Sequence, residues 1–208
     1  MSSGKSGGYN DYNRFFRIYR LEEDWCTPPE YIPLIYHTLG SIDLDPASTA
    51  HANAEFLKAE NFYTKEDDAI NVEEPWRGNV YCFPPTYGRC SFNRQRGTWR
   101  WSSRGGFTSQ NVSKVWFNRL EREWKLGFIN SALFYSISPE MMRIAPTMWD
   151  YPICIPRDRP RLVHGKTFKQ FDKFPKWGFF IYLPPRGLGL RQTEQFEEAF
   201  STIGKIVL

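Results

Sequence analysis

Ser41-Ile42-Asp43-Leu44-Asp45-Pro46-Ala47-Ser48 is the stretch that decides how this chain is read. It is a short strand that ends on acidic residues and is halted by a proline. Upstream, Thr27-Pro28-Pro29-Glu30 has the spacing of a capping box, with Pro28 at the favoured first helical position. Tyr31, Leu34, Ile35, Thr38 and Leu39 follow at helical spacing, which predicts a helix beginning near Pro28 and ending at Gly40. Downstream, Ala50, Ala54 and Leu57 suggest a second helix, and Asn61 to Asp68 is polar and turn-like. Asn79-Val80-Tyr81-Cys82-Phe83 then reads as a buried strand stopped by Pro84-Pro85.

Further out the alternation continues. Val112, Val115, Trp116, Leu120 and Trp124 mark an amphipathic helix, and Phe128 to Ile137 a strand. Pro139 to Trp149 reads as a short helix, and Ile153 to Val163 is strand-like with charged interruptions. Gly178 to Leu183 is a strong strand. Phe196, Ala199, Phe200 and Ile203 give a last helix from about Thr193, leading into a strand at Lys205 to Leu208. Strands alternating with helices predict an α/β domain: a mostly parallel sheet with helices on both faces.

The 208 residues suit one domain over 13–208, preceded by a flexible Ser/Gly-rich tail over 1–12 with no apolar core of a secretory signal. No apolar run approaches the roughly 20 residues needed to cross a bilayer, so a soluble intracellular protein without a membrane partner is expected, in cytoplasm or nucleus. Cys26, Cys82, Cys90 and Cys154 are scattered without a CxxC pair, which predicts reduced thiols and no metal site. The net charge of +4 is too small to name a partner by itself. Its distribution says more. Residues 86–111 carry Arg89, Arg94, Arg96, Arg100 and Arg104, no acidic residue, and Tyr87, Phe92, Trp99, Trp101 and Phe107. So long a segment without evident secondary structure reads as functional or disordered. Arg157, Arg159, Arg161, Lys166, Lys169 and Lys173 form a second basic stretch around His164, itself read as a packed or surface histidine rather than a ligand.

Taken in order, several motifs resemble one family. Trp25 and Thr27-Pro28 stand at a helix start, Asp45-Pro46-Ala47-Ser48 at an acidic strand end, and Tyr63-Thr64-Lys65-Glu66-Asp67-Asp68 in an acidic turn. Trp76-Arg77-Gly78 then precedes a strand ending in Pro84-Pro85. Over roughly Glu23 to Leu208 the chain resembles the phage DNA N-6-adenine methyltransferases. The resemblance implies a Rossmann-like domain that binds S-adenosylmethionine and methylates the exocyclic amine of adenine in DNA. It further implies that Trp25, Thr27, Pro28, Pro46 and Ala47 border the cofactor. Asp43 and Asp45 become candidates for its ammonium or ribose hydroxyls, and Asp68 for its adenine amine.

The family's catalytic motif is Asn/Asp-Pro-Pro-Tyr. Its polar side chain and first proline carbonyl accept hydrogen bonds from the target amine, and its aromatic ring stacks on the flipped base. Here the corresponding residues are Phe83, Pro84, Pro85 and Tyr87, with Thr86 intervening. Phe83 offers no acceptor. Two readings therefore stay open: a methyltransferase, acting on adenine or another planar amine, and a catalytically degenerate methyltransferase fold that binds nucleic acid or a partner subunit. Arg89, Arg94, Arg96, Arg100 and Arg104 suit DNA phosphates, and Trp99 or Trp101 suits base stacking or wedging. The alternative for that segment is a mobile solvated loop or an insertion that docks another protein, and a protein partner or homo-oligomer stays open for the chain as a whole.

Overall fold

The structure, a computed structural model, describes residues 25–85, 89–102, 110–172, 176–187 and 193–208. In chain order the elements are β1 (Trp25–Cys26), a 3-10 turn (Pro29–Tyr31), α1 (Ile32–Leu39), β2 (Leu44–Asp45) and α2 (Ala50–Ala52), which continues as a π-helical turn to Leu57. Then come β3 (Asn61–Phe62), β4 (Gly78–Cys82), β5 (Arg89–Asn93), β6 (Thr98–Ser102), β7 (Gln110–Asn111) and α3 (Val112–Leu126). They are followed by β8 (Ile129–Ser136), α4 (Met141–Ile144), a 3-10 turn (Pro146–Asp150), β9 (Ile153–Pro156), β10 (Val163–His164), β11 (Phe179–Leu183), α5 (Glu194–Phe200) and β12 (Gly204–Val207).

The central sheet has seven strands in the order β12-β9-β11-β8-β4-β2-β3. It is mixed, which corrects the expectation of a mostly parallel sheet. β3, β2, β4 and β8 run parallel, whereas β11 is antiparallel to both β8 and β9, and β12 is antiparallel to β9. The apolar run Phe179–Leu183 is buried at every position. Such a run reports that both faces are covered, not which way the strand points, so its direction was not readable from composition.

Two apolar layers flank the sheet, and alternation along each strand divides residues between them. Val80, Ala132, Phe134, Phe179 and Ile181 face the side covered by α3 and α4. Tyr81, Leu133, Tyr135, Phe180 and Tyr182 face the side covered by α1 and α5, where Ile35, Phe196 and Phe200 meet them. Helix α3 is begun by Asn111, whose side chain accepts the Lys114 N–H, and ended by Gly127 at φ +88°.

Two local expectations are corrected. Thr27 does not cap a helix: its hydroxyl is 2.7 Å from the Tyr81 hydroxyl, Pro28 occupies the cap position, and Glu30 accepts from Gln170 instead. The segment read as a structureless loop over 86–111 contains, in its described residues, a three-stranded antiparallel sheet, β6-β5-β7. Phe92 lies opposite Trp99 and Cys90 opposite Trp101, so these four share one face while Ser91 and Arg100 share the other. The turn between β5 and β6 is fixed by Asn93, which accepts from the N–H groups of Gln95 and Arg96, and by Gly97 at φ +66°.

Candidate functional site

From β2 the chain crosses to β3 on one side, and from β4 it crosses to β8 on the other. The carboxyl ends of β2 and β4 therefore flank a topological switch point, where an open α/β sheet leaves a crevice. A cavity of about 360 Å³ opens there. Its walls include Thr27, Asp45, Asp68, Phe83 and Pro84, and the β5–β6 ribbon closes it with Trp99, Arg100 and Trp101. Segments up to 91 residues apart, from Trp25 to Trp116, thus meet in one space.

Asp45 dominates the electrostatics. It ends β2, is 2% exposed, and accepts from the Ala47 N–H at 3.0 Å, with the Ser48 hydroxyl also hydrogen-bonded to it. No cationic side chain pairs with it among the described residues. Burial pushes its carboxyl up to about 6, against the partial opposition of those two hydrogen bonds. A buried carboxylate facing a cavity without a counter-charge favours a ligand bearing positive charge or hydroxyl donors.

Asp68 sits at the rim in a left-handed conformation, φ +51°, and its carboxylate accepts from Asn71 at 2.7 Å. Asp43 does not line the cavity. Its carboxylate accepts from the Asn79 N–H and the Ser41 hydroxyl, locking the start of β4 to the end of α1. A Cβ at Gly78 would stand 2.2 Å from that carboxylate, and Gly78 has φ +75°, so the glycine is required by Asp43. Pro28 is buried next to Thr27 but is absent from the cavity wall, whereas Pro46 and Ala47 belong to it.

Trp25 lines the cavity from β1, which pairs with β10. His164 packs edge-on against its ring at 5.2 Å. The His164 Nδ1 accepts from the N–H groups of Lys166 and Thr167, which places this histidine behind the wall as a support.

Comparison of the chain with protein-family models, with curated proteins and with solved structures finds no match. The site therefore has to be read from its own geometry.

Phe83, Pro84 and Pro85 follow β4 and all line the cavity. The Phe83 ring is buried 4.8 Å from that of Tyr135, so it is part of the core under α1 as well as a wall residue. Tyr87 and Arg104 lie outside the described residues. Arg94 and Arg96 are exposed at the far turn of the ribbon, away from the cavity, and Arg89 opens β5. Burial pushes the Cys90 thiol up to about 11 and holds Cys82 well above its ordinary value. Neither supplies a thiolate nucleophile near neutral pH.

Sequence reasoning missed two supports. Arg119 and Glu123, four apart on α3, form a buried ion pair, and Arg119 donates to the Ala69 and Glu74 carbonyls while Glu123 accepts the Trp76 N–H. The i, i+4 spacing was a usable signal for the pair but not for its carbonyl partners. Asn71, which bridges Asp68 to the ribbon, carried no signal at all.

Proposed function

We propose that this chain is a Rossmann-like, S-adenosylmethionine-dependent methyltransferase acting on the exocyclic amine of adenine in DNA. The observation that carries the reading is the convergence on one cavity of the acidic strand end, the Asp68 turn, the diproline segment and the basic aromatic ribbon. Their chemistry fits the cofactor. The volume falls within the range of small-molecule sites, and the buried, cation-free Asp45 suits the ammonium or ribose hydroxyls of the cofactor. Asp68 suits its adenine amine, and Trp25 and Thr27 bound the same space. When bound, S-adenosylmethionine supplies a methyl group on a positively charged sulfur.

The chain's own residues then have assignable roles. Asp45 and Asp68 orient the cofactor, and the apolar wall of Trp25, Phe83 and Trp116 excludes water. The Pro84 carbonyl is the acceptor that positions the target amine, and Trp101 or Trp99 stacks on a base extruded toward the cavity. Arg94, Arg96 and Arg100 contact phosphates. Phe83 favours a second reading, a methyltransferase fold that binds cofactor and nucleic acid but transfers methyl groups slowly or not at all. Its ring occupies the place where an acceptor side chain would be expected.

Titration calorimetry of S-adenosylmethionine against wild type and Asp45→Asn tests the cofactor assignment. Measurable wild-type binding, reduced about 10- to 100-fold by loss of the charge, is expected. Equal affinity in the two proteins would remove Asp45 from the site. Transfer of labelled methyl groups to adenine-containing DNA separates the enzyme from the binding protein.

A further inference from the structure

We infer that Asn71 couples the ribbon to the cavity, so that nucleic acid seated on the ribbon strengthens cofactor binding. This rests on the proposed reading of the cavity as a cofactor pocket and of the ribbon as a nucleic-acid surface.

The Asn71 carboxamide uses every group it has. Its Oδ1 accepts the Trp99 N–H at 2.6 Å, and its Nδ2 donates to the Trp99 carbonyl at 2.8 Å and to Asp68 Oδ2 at 2.7 Å. β6 is the outer strand of the ribbon, and Trp99 is its second residue. On that open edge the side-chain amide supplies the pairing that a further strand would supply. The same amide holds the Asp68 carboxylate, so one group reads both the ribbon backbone and the rim of the cavity.

The surroundings leave this as the adjustable connection. Arg119 pins Ala69 from beneath through its carbonyl, at 2.6 Å, and the Asn71 N–H closes a turn on the Asp68 carbonyl at 2.7 Å. The backbone from Asp68 to Asn71 is thus held, and what remains to be set is the direction of the Asp68 side chain. Arg100 and Trp101 follow Trp99 directly and line the same cavity. A ligand that orders Trp99 to Trp101 therefore orders Asn71, and through it Asp68, which lowers the ordering cost met by the second ligand. By reciprocity the cofactor tightens nucleic-acid binding by the same factor.

The test measures S-adenosylmethionine affinity by calorimetry with and without a short adenine-containing duplex, in wild type, Asn71→Ala and the isosteric Asn71→Asp. Asn71→Asp keeps the acceptor for Trp99 N–H but cannot donate to Trp99 or to Asp68. Cooperative thermal unfolding identifies folded variants, and Asn71→Asp carries the test if Asn71→Ala does not fold. In wild type the duplex should tighten cofactor binding about tenfold, a typical coupling between sites, and in the variants this factor should fall to about twofold or less. A merely structural role would weaken either ligand without changing the ratio. Binding of both ligands with no coupling in wild type, or with coupling unchanged in the variants, overturns the inference alone. A wild-type chain that binds no cofactor overturns the cofactor reading and this inference with it.

Discussion

Asp45 is a carboxyl whose ionisation is opposed by burial, and two pH effects of opposite use follow. In the folded chain its pKa is raised from 3.8 to about 6, so the folded state holds the proton more tightly than the unfolded one. The stability this contributes is fully present below about 3.8 and lost as pH rises through about 6. A cationic ligand needs the ionised form. Cofactor affinity should therefore rise by up to about tenfold per pH unit below pH 6 and level off above it, and Asp45→Asn should flatten the profile. Calorimetry between pH 5 and 8 reads this, and a profile with no bend near pH 6 would dissociate Asp45 from the ligand. Phe83 is the second decisive residue. Replacing it with Asn restores an acceptor beside Pro84 and should raise methyl transfer about 10- to 100-fold. The same change removes a ring packed on Tyr135, so a fall of about 2–4 kcal/mol in stability should accompany it. Higher activity with a lower Tm is the expected signature. Lower stability with no added transfer would favour the binding protein.

Among the elements, the ribbon β5–β6 is where the chain departs most from a plain loop. One face carries Cys90, Phe92, Trp99 and Trp101, and Phe92 and Trp99 are in ring contact at 5.1 Å. Its arginines occupy the opposite face and the far turn. Replacing Arg94, Arg96 and Arg100 with serine should weaken DNA binding and reduce the slope of log affinity against log salt by about 0.9 for each phosphate no longer neutralised. An unchanged slope in fluorescence anisotropy would remove the ribbon from a DNA interface and favour a protein partner. The strand pattern was present in the sequence: Cys90/Phe92 and Trp99/Trp101 alternate with polar residues around Asn93 to Gly97. The density of arginine concealed it, because charge on one face says nothing about the other. Helix α3, by contrast, was legible to within two residues, since its apolar stripe from Val112 to Trp124 runs nearly its whole length.

Across the whole molecule, stability comes from two layers of apolar side chains against a mixed sheet. Tyr135 and Phe180 are stacked 4.3 Å apart, and Phe180 also meets Phe200 at 4.6 Å, which joins β8, β11 and α5. Phe180→Ala should cost about 3–5 kcal/mol, measured by chemical denaturation, and leave cofactor affinity in the surviving folded fraction little changed. A cost under about 1 kcal/mol would mean that this face is not the packed core described. No helix among the described residues is long and apolar enough to cross a membrane.

Local pattern was enough to locate α1, α3, β4, β8, β11 and the last helix and strand, because periodicity, caps and prolines act within a few residues of where they stand. The family resemblance pointed to Asp45, Asp68 and the Phe83-Pro84-Pro85 segment, which the fold places in one cavity wall. Strand direction came from tertiary packing, since a run such as Phe179–Leu183 is equally apolar whichever way it runs. Tertiary contact also separated Asp43, engaged by Asn79, from Asp45, left facing the cavity, although they stand two residues apart with the same chemistry. Thr27 was claimed by Tyr81, 54 positions away, before it could cap a helix. Asn71 found its partner in Trp99 only when the ribbon folded over the cavity. Local sequence sets what a residue can bond to; the partners that claim it come from chain segments that local pattern does not see.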